Sequence, residues 1–226
     1  MSASPLARLR HAANRLDLPL RMELFALGAD LVPALIGLVE ERDAGWARVH
    51  AVDMLIDLHA EEAIVPMLRT IASIGYDDAS STDEGLEDIV DGRIRARLPE
   101  LGRAVLEPAL AFLGEHAEEA GAVYETCDVL VALGIKDDRI FEGVKLAFGH
   151  DTTLGAGNFA TYGAPRACPI IEDALATLVP DLTSVWGKAC VEDLLLAHRR
   201  LGGELAPEVR ERVEGWLAKW DPRWPS

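Results

Sequence analysis

The feature that most constrains this chain is that it repeats itself at an offset of 75 residues, the spacing between Pro33 and Pro108. In that register Pro33, Ala34, Leu35, Leu38 and Glu40 fall on Pro108, Ala109, Leu110, Leu113 and Glu115. Ala47, Asp53, Leu55 and Leu58 fall on Ala122, Asp128, Leu130 and Leu133, and Ala72 falls on Ala147. The register crosses two helical runs and enters a third without a gap, which marks a repeat architecture. Segments 27–101 and 102–176 are therefore read as structural duplicates, each long enough for two helical hairpins. Capping helices are expected over about 182–221, with a shorter third copy opening at Asp181-Leu182.

The stretch from Leu27 to Ala72 holds three apolar helical runs joined by short polar breaks. Helical spacing of apolar residues predicts helices from about Asp30 to Glu41, Trp46 to His59 and Glu61 to Ile74. "LGADLVPALIGLVEE" and "HAEEAIVPMLRTI" state one phrase, a helix with Pro-x-Leu near its middle. The same periodicity predicts helices at 4–16 and from Leu20 to Leu27, where Gly28 supplies a stop signal. It continues at about 89–98, 101–115, 118–134, 138–148, 166–178, 182–201 and 207–220. Half of the residues are hydrophobic and only 6% are aromatic, a composition that suits Ala/Leu helix packing and not strands. The expected fold class is all-α.

Two segments read as loops. An acidic, mobile loop is expected over about 75–86, its carboxylates balanced by Arg93, Arg95, Arg97 and Arg103 downstream. A flexible crossing is expected over 149–164, where Gly155-Ala156-Gly157-Asn158 is too isolated a Gly-x-Gly to mark a phosphate site.

Certain residues carry a resemblance. Ala26-Leu27-Gly28 leads to Val32-Pro33-Ala34-Leu35, then Arg48-Val49 with Ala51, Leu55 and Leu58, then Val65-Pro66-Met67-Leu68. The second copy keeps Pro108-Ala109-Leu110 and Ala132-Leu133-Gly134 but has Val123 in place of the arginine. These phrases resemble HEAT repeats of the phycobilisome-lyase-like kind, most closely over 21–74 and 101–148. The resemblance implies a right-handed α-α solenoid of about five to six helical hairpins in one domain, 1–226. It also implies that the second helix of each hairpin lines the inner curve.

A formal charge of -16 argues against nucleic acid and anionic membrane surfaces and favours a protein partner with a basic surface. No stretch reaches the length of a membrane span, and the first residues lack the apolar core of a signal peptide. Cys127, Cys168 and Cys190 are widely spaced and have no Cys-x-x-Cys partner, as expected of reduced core cysteines in a cytoplasmic protein. A monomer is expected.

His50, Asp53 and Asp57 recur at helical spacing on one face, and Tyr124, Glu125 and Asp128 occupy the corresponding stretch of the second copy. Together they form the expected partner-binding stripe, on an acidic concave face. Asp at matched mid-helix positions is a poor helix former, and bracing a neighbouring turn is the competing reading. One histidine and two carboxylates fall short of a dedicated metal site.

No cofactor, metal ligand or catalytic residue is expected. His11, His59, His116, His150 and His198 lack an ordered nucleophile or acid, and neither G-x-S-x-G nor HExxH occurs. The function expected is a non-catalytic protein-binding scaffold. The alternatives are an enzyme or chromophore-lyase-like protein, with a polar pocket around 50–57, 124–128 and 150–162, and an inhibitory binder of a bacterial toxin. Trp216, Trp220 and Trp224 read as a seal on the end of the array, and Trp46 and Trp186 as packing residues.

Overall fold

A computed structural model describes residues 4–74, 84–181 and 183–219. The bulk of the acidic loop, residues 75–83, lies outside the described residues, as do Trp220 and Trp224. The described residues are all-α, with no strand among them, and fall into two compact units, Met1–Ile135 and Lys136–Ser226.

The first unit holds α1 (Pro5–Arg10), α2 (Leu18–Phe25), α3 (Val32–Glu40), α4 (Trp46–Asp57), α5 (Ile64–Ile74), α6 (Glu84–Arg97), α7 (Leu106–Glu115) and α8 (Ala120–Ala132). Helix α1 is shorter than its apolar spacing suggests, ending at Arg10 with His11 as its cap. Asp17 does not merely break the chain but caps α2, its carboxylate accepting from Leu20 N at 2.7 Å.

The prolines of the repeated phrase sit in first turns rather than mid-helix. Pro33 is at the start of α3, where its missing N–H costs nothing. The residues read as the first half of each such helix wind instead as short 3-10 turns, Gly28–Leu31 before α3 and Glu61–Ala63 before α5. Before α4, Gly45 adopts φ 59°, a region that glycine enters without steric penalty.

Packing in this unit is sequential. Helix α3 packs on α5 and α5 on α7, while α4 packs on α6 and α6 on α8. Leu35, Leu38 and Val39 of α3, Met67, Leu68 and Ile71 of α5, and Val90 and Ile94 of α6 are buried between these rows. Helix α4 is buried over most of its circumference, from Ala47 to Val52 and from Met54 to Ile56. A broad solvated face on that helix is not what the structure shows.

The second unit holds α9 (Asp138–His150), α10 (Thr152–Tyr162), α11 (Cys168–Thr177), α12 (Val185–Arg200) and α13 (Pro207–Leu217). Here the loop expected over 149–164 is corrected: it is helix α10. Asp151 alone separates α9 from α10 and caps the latter, accepting from Thr153 N and Leu154 N at 2.9 Å. Gly163 ends it in the left-handed region at φ 70°. The glycines that suggested a loop lie inside the helix, because the α9–α10 corner leaves no room for a side chain at Gly155. A Cβ there would stand 2.3 Å from Phe148 Cα.

By residue number the 75-residue register maps α3 on α7, α4 on α8 and α5 on α9, and then lapses. Trp216 is buried beneath Arg212, whose guanidinium lies 5.1 Å from the ring centroid. Trp186 is not a packing residue, being 83% exposed.

Candidate interaction face

The expected acidic stripe lies in the first unit, on α4 and α8, and the C-terminal half of α6, the helix between them, carries three arginines. Arg93, Arg95 and Arg97 project from α6, which packs on both neighbours. Arg97 donates from Nη1 to Asp53 Oδ1 at 3.0 Å and from Nη2 to Asp57 Oδ1 at 2.8 Å. It also grips Glu100 through Nε at 3.1 Å and Nη2 at 2.8 Å. Arg93 Nε stands 3.6 Å from Asp53 Oδ1, and Arg21 Nη2 donates to Asp57 Oδ2 at 2.7 Å. Burial works to raise the pKa of Asp57, but the bonds from Arg97 and Arg21 outweigh it and hold the carboxyl below its ordinary range.

At the α4–α6 contact Asp53, Asp57 and Glu100 thus face Arg93, Arg97 and Arg21, three charges against three. His50 adds nothing to a surface here. It is only 8% exposed, and its Nε2 lies 2.8 Å from Ala13 O.

The α6–α8 contact is different. Arg95 pairs with Asp91 one turn earlier on α6, and across the contact its Nε is 3.4 Å from Glu125 Oε2 and its Nη1 3.7 Å from Asp128 Oδ2. Three carboxylates share one guanidinium. Glu125 is 4% exposed and Asp91 7% exposed. Among the described residues, Glu125 Oε2 and Asp91 Oδ1 have no hydrogen-bond partner. A buried acceptor left so is costly. Desolvation pushes the Glu125 carboxyl up to about 7, opposed by Arg95 and reinforced by Asp91 and Asp128. Burial likewise raises Asp128, against the pull of Arg95. Tyr124 is half-buried on the same helix.

Sequence reading found both ends of this row and missed its middle. The sequence sets Arg93, Arg95 and Arg97 against the acidic loop, yet among the described residues they meet carboxylates of α4, α8 and their own segment. The signal was present: a 75-residue repeat leaves room for further helices between the matched pair α4 and α8, and one of them carries Arg-x-Arg-x-Arg. A second missed residue is Arg48, 1% exposed, which donates from Nε to Val39 O at 3.1 Å and pairs with Glu87.

Because Glu125 holds its proton more tightly in the folded chain than its ordinary 4.5, folding takes up a proton between about 4.5 and 7. Stability should therefore fall as pH rises through that window and level off above it. Glu125→Gln is expected to flatten this slope and to gain about 1 kcal/mol at mildly alkaline pH. Urea midpoints across the window check it; an unchanged slope in the variant would contradict the assignment.

Among the described residues no helix is long and apolar enough to cross a membrane, and no group of three or more His, Cys, Asp or Glu is placed to hold a metal ion. Comparison with protein-family models, curated proteins and solved structures gives no match. Fold and site define a class: an all-α protein whose helices pack in sequence. In the first unit the carboxylates of α4 and α8 flank the arginines of α6, compensated on the α4 side and deficient in positive charge on the α8 side.

Proposed function

We propose that this chain is a non-catalytic, HEAT-like α-solenoid that binds another protein, receiving a basic segment along the face formed by α4, α6 and α8. The alternation of contacts, α3–α5–α7 in one row and α4–α6–α8 in the other, supports the solenoid reading, since stacked hairpins pack like helix on like helix. The observation that carries the binding reading is the charge deficit at α6–α8, three carboxylates around Arg95. It lies in a chain whose net charge of -16 already draws basic partners. Asp53 and Asp57 serve the fold by bracing α6, so the receptive part of the stripe narrows to the α8 end.

A labelled lysine-rich peptide is expected to bind by fluorescence anisotropy, more weakly as salt rises, while an acidic peptide of equal length does not. Asp128→Lys should weaken binding about tenfold, or about 1.4 kcal/mol, with helicity retained. Equal binding of the two peptides, or an unchanged affinity in the variant, would remove the proposal.

A further inference from the structure

We infer that the contact between α6 and α8 is the seat for one lysine side chain of the partner, its ammonium entering beside Arg95 among Asp91, Glu125 and Asp128. This rests on the basic-partner reading above and assigns it a single point of attachment. Glu125 Oε2 is ion-paired with Arg95 Nε at 3.4 Å but receives no hydrogen bond, and Asp91 Oδ1 is likewise without one among the described residues. Asp128 lies at the rim, about a third exposed, with Arg95 similarly open. The site therefore offers two buried oxygens that lack a donor and one carboxylate that a ligand meets first.

A compact ammonium with three rotatable donors can serve acceptors that approach it from different sides. A guanidinium delivers its donors in a planar fork and needs a carboxylate presented edge-on. Arg95 already provides the fork, bonded to Asp91. The corresponding contact between α4 and α6 offers no such place, since Arg97, Arg93 and Arg21 already engage Asp53 and Asp57.

Binding is coupled to a proton. The charged groups acting on Glu125 are Arg95 and Asp91 from α6 and Asp128 from α8 itself. Among the described residues of the other helices packed on α8, Arg69 of α5 is bridged to Glu40, and Glu107 and Glu115 of α7 are exposed. An arriving ammonium favours the carboxylate form, so the Glu125 proton leaves to solvent as the lysine is seated. The lysine remains protonated throughout. Affinity consequently rises with pH, by up to about tenfold per unit below the Glu125 titration, and levels off above it.

The test follows the Glu125 side-chain carboxyl by carbon NMR through a pH titration of the full chain. It is done alone and then saturated with a lysine-rich peptide, an arginine-rich peptide of the same length, or a norleucine analogue. The expected result is a fall of at least one unit in the Glu125 midpoint with the lysine peptide only. Glu125→Gln should bind at every pH only as weakly as the protonated wild-type chain does, and so lose the pH dependence. If the lysine peptide binds and the midpoint does not move, this inference is overturned while the basic-partner proposal stands. An equal shift with the arginine peptide also overturns it, and failure of every basic peptide to bind overturns both.

Discussion

Replacing Arg48 with methionine is expected to cost about 3–5 kcal/mol, as removal of one partner from a buried ion pair does. Arg48 is the largest charged side chain in the interior, and it joins three elements. Its Nε satisfies Val39 O in the last turn of α3, where carbonyls have no intrahelical donor. Its Nη1 holds Glu87 of α6, whose second oxygen is already unpartnered among the described residues. Methionine keeps much of the volume but leaves Glu87 as an uncompensated charge and uncaps α3. The double variant Arg48→Met, Glu87→Leu should recover most of the loss, because an apolar pair of similar volume is often neutral or better. Urea unfolding of the single and double variants gives the coupling between them. A loss below about 1 kcal/mol in Arg48→Met would mean that solvent reaches Glu87.

Two glycines of α10 should respond to alanine in opposite directions. At Gly155 the new Cβ would meet Phe148 Cα at 2.3 Å, Phe148 N at 2.5 Å and Phe148 Cβ at 2.7 Å. Two of those atoms are backbone, so α9 and α10 must part, and the cost is expected near about 3 kcal/mol, the upper end for overpacking. At Gly157 nothing lies within 4 Å. Alanine there should stabilise by about 1 kcal/mol through helix propensity alone. Thermal or urea unfolding of the two variants tests both claims. Destabilisation by Gly157→Ala would show that α10 is not helical at that position, and a neutral Gly155→Ala would show that the corner is looser than described.

Helices were legible where apolar spacing was dense. The runs that became α3, α4, α5, α7, α8 and α9 were placed to within a few residues, because Leu, Val and Ile at periods of three and four survive any local adjustment. Helix α10 was not legible. Its Gly155 and Gly157 carry the local preference of a loop, and the reason for a missing Cβ at Gly155 lies on another helix, at Phe148.

The partners of the stripe were not legible for a related reason. Polar spacing on α4 shows that Asp53 and Asp57 avoid the apolar core, but it does not distinguish water from the guanidinium of Arg97 on the adjacent helix. Trp186 shows the converse, an aromatic that composition assigns to packing and that stands in solvent. Glu125 was found as a member of the stripe, while its burial depends on the helices packed around α8, which periodicity within α8 does not report.

The arginines of α6, set between the carboxylates of α4 and α8, also limit which segments this unit could lose. Excising one hairpin, α5 with α6, would set α4 directly against α8 and oppose Asp53 and Asp57 to Glu125 and Asp128, with the intervening arginines gone. Like charges facing each other across a closed contact destabilise it. The arginines of α6 are thus what allows the carboxylates of α4 and α8 to share one side of this unit.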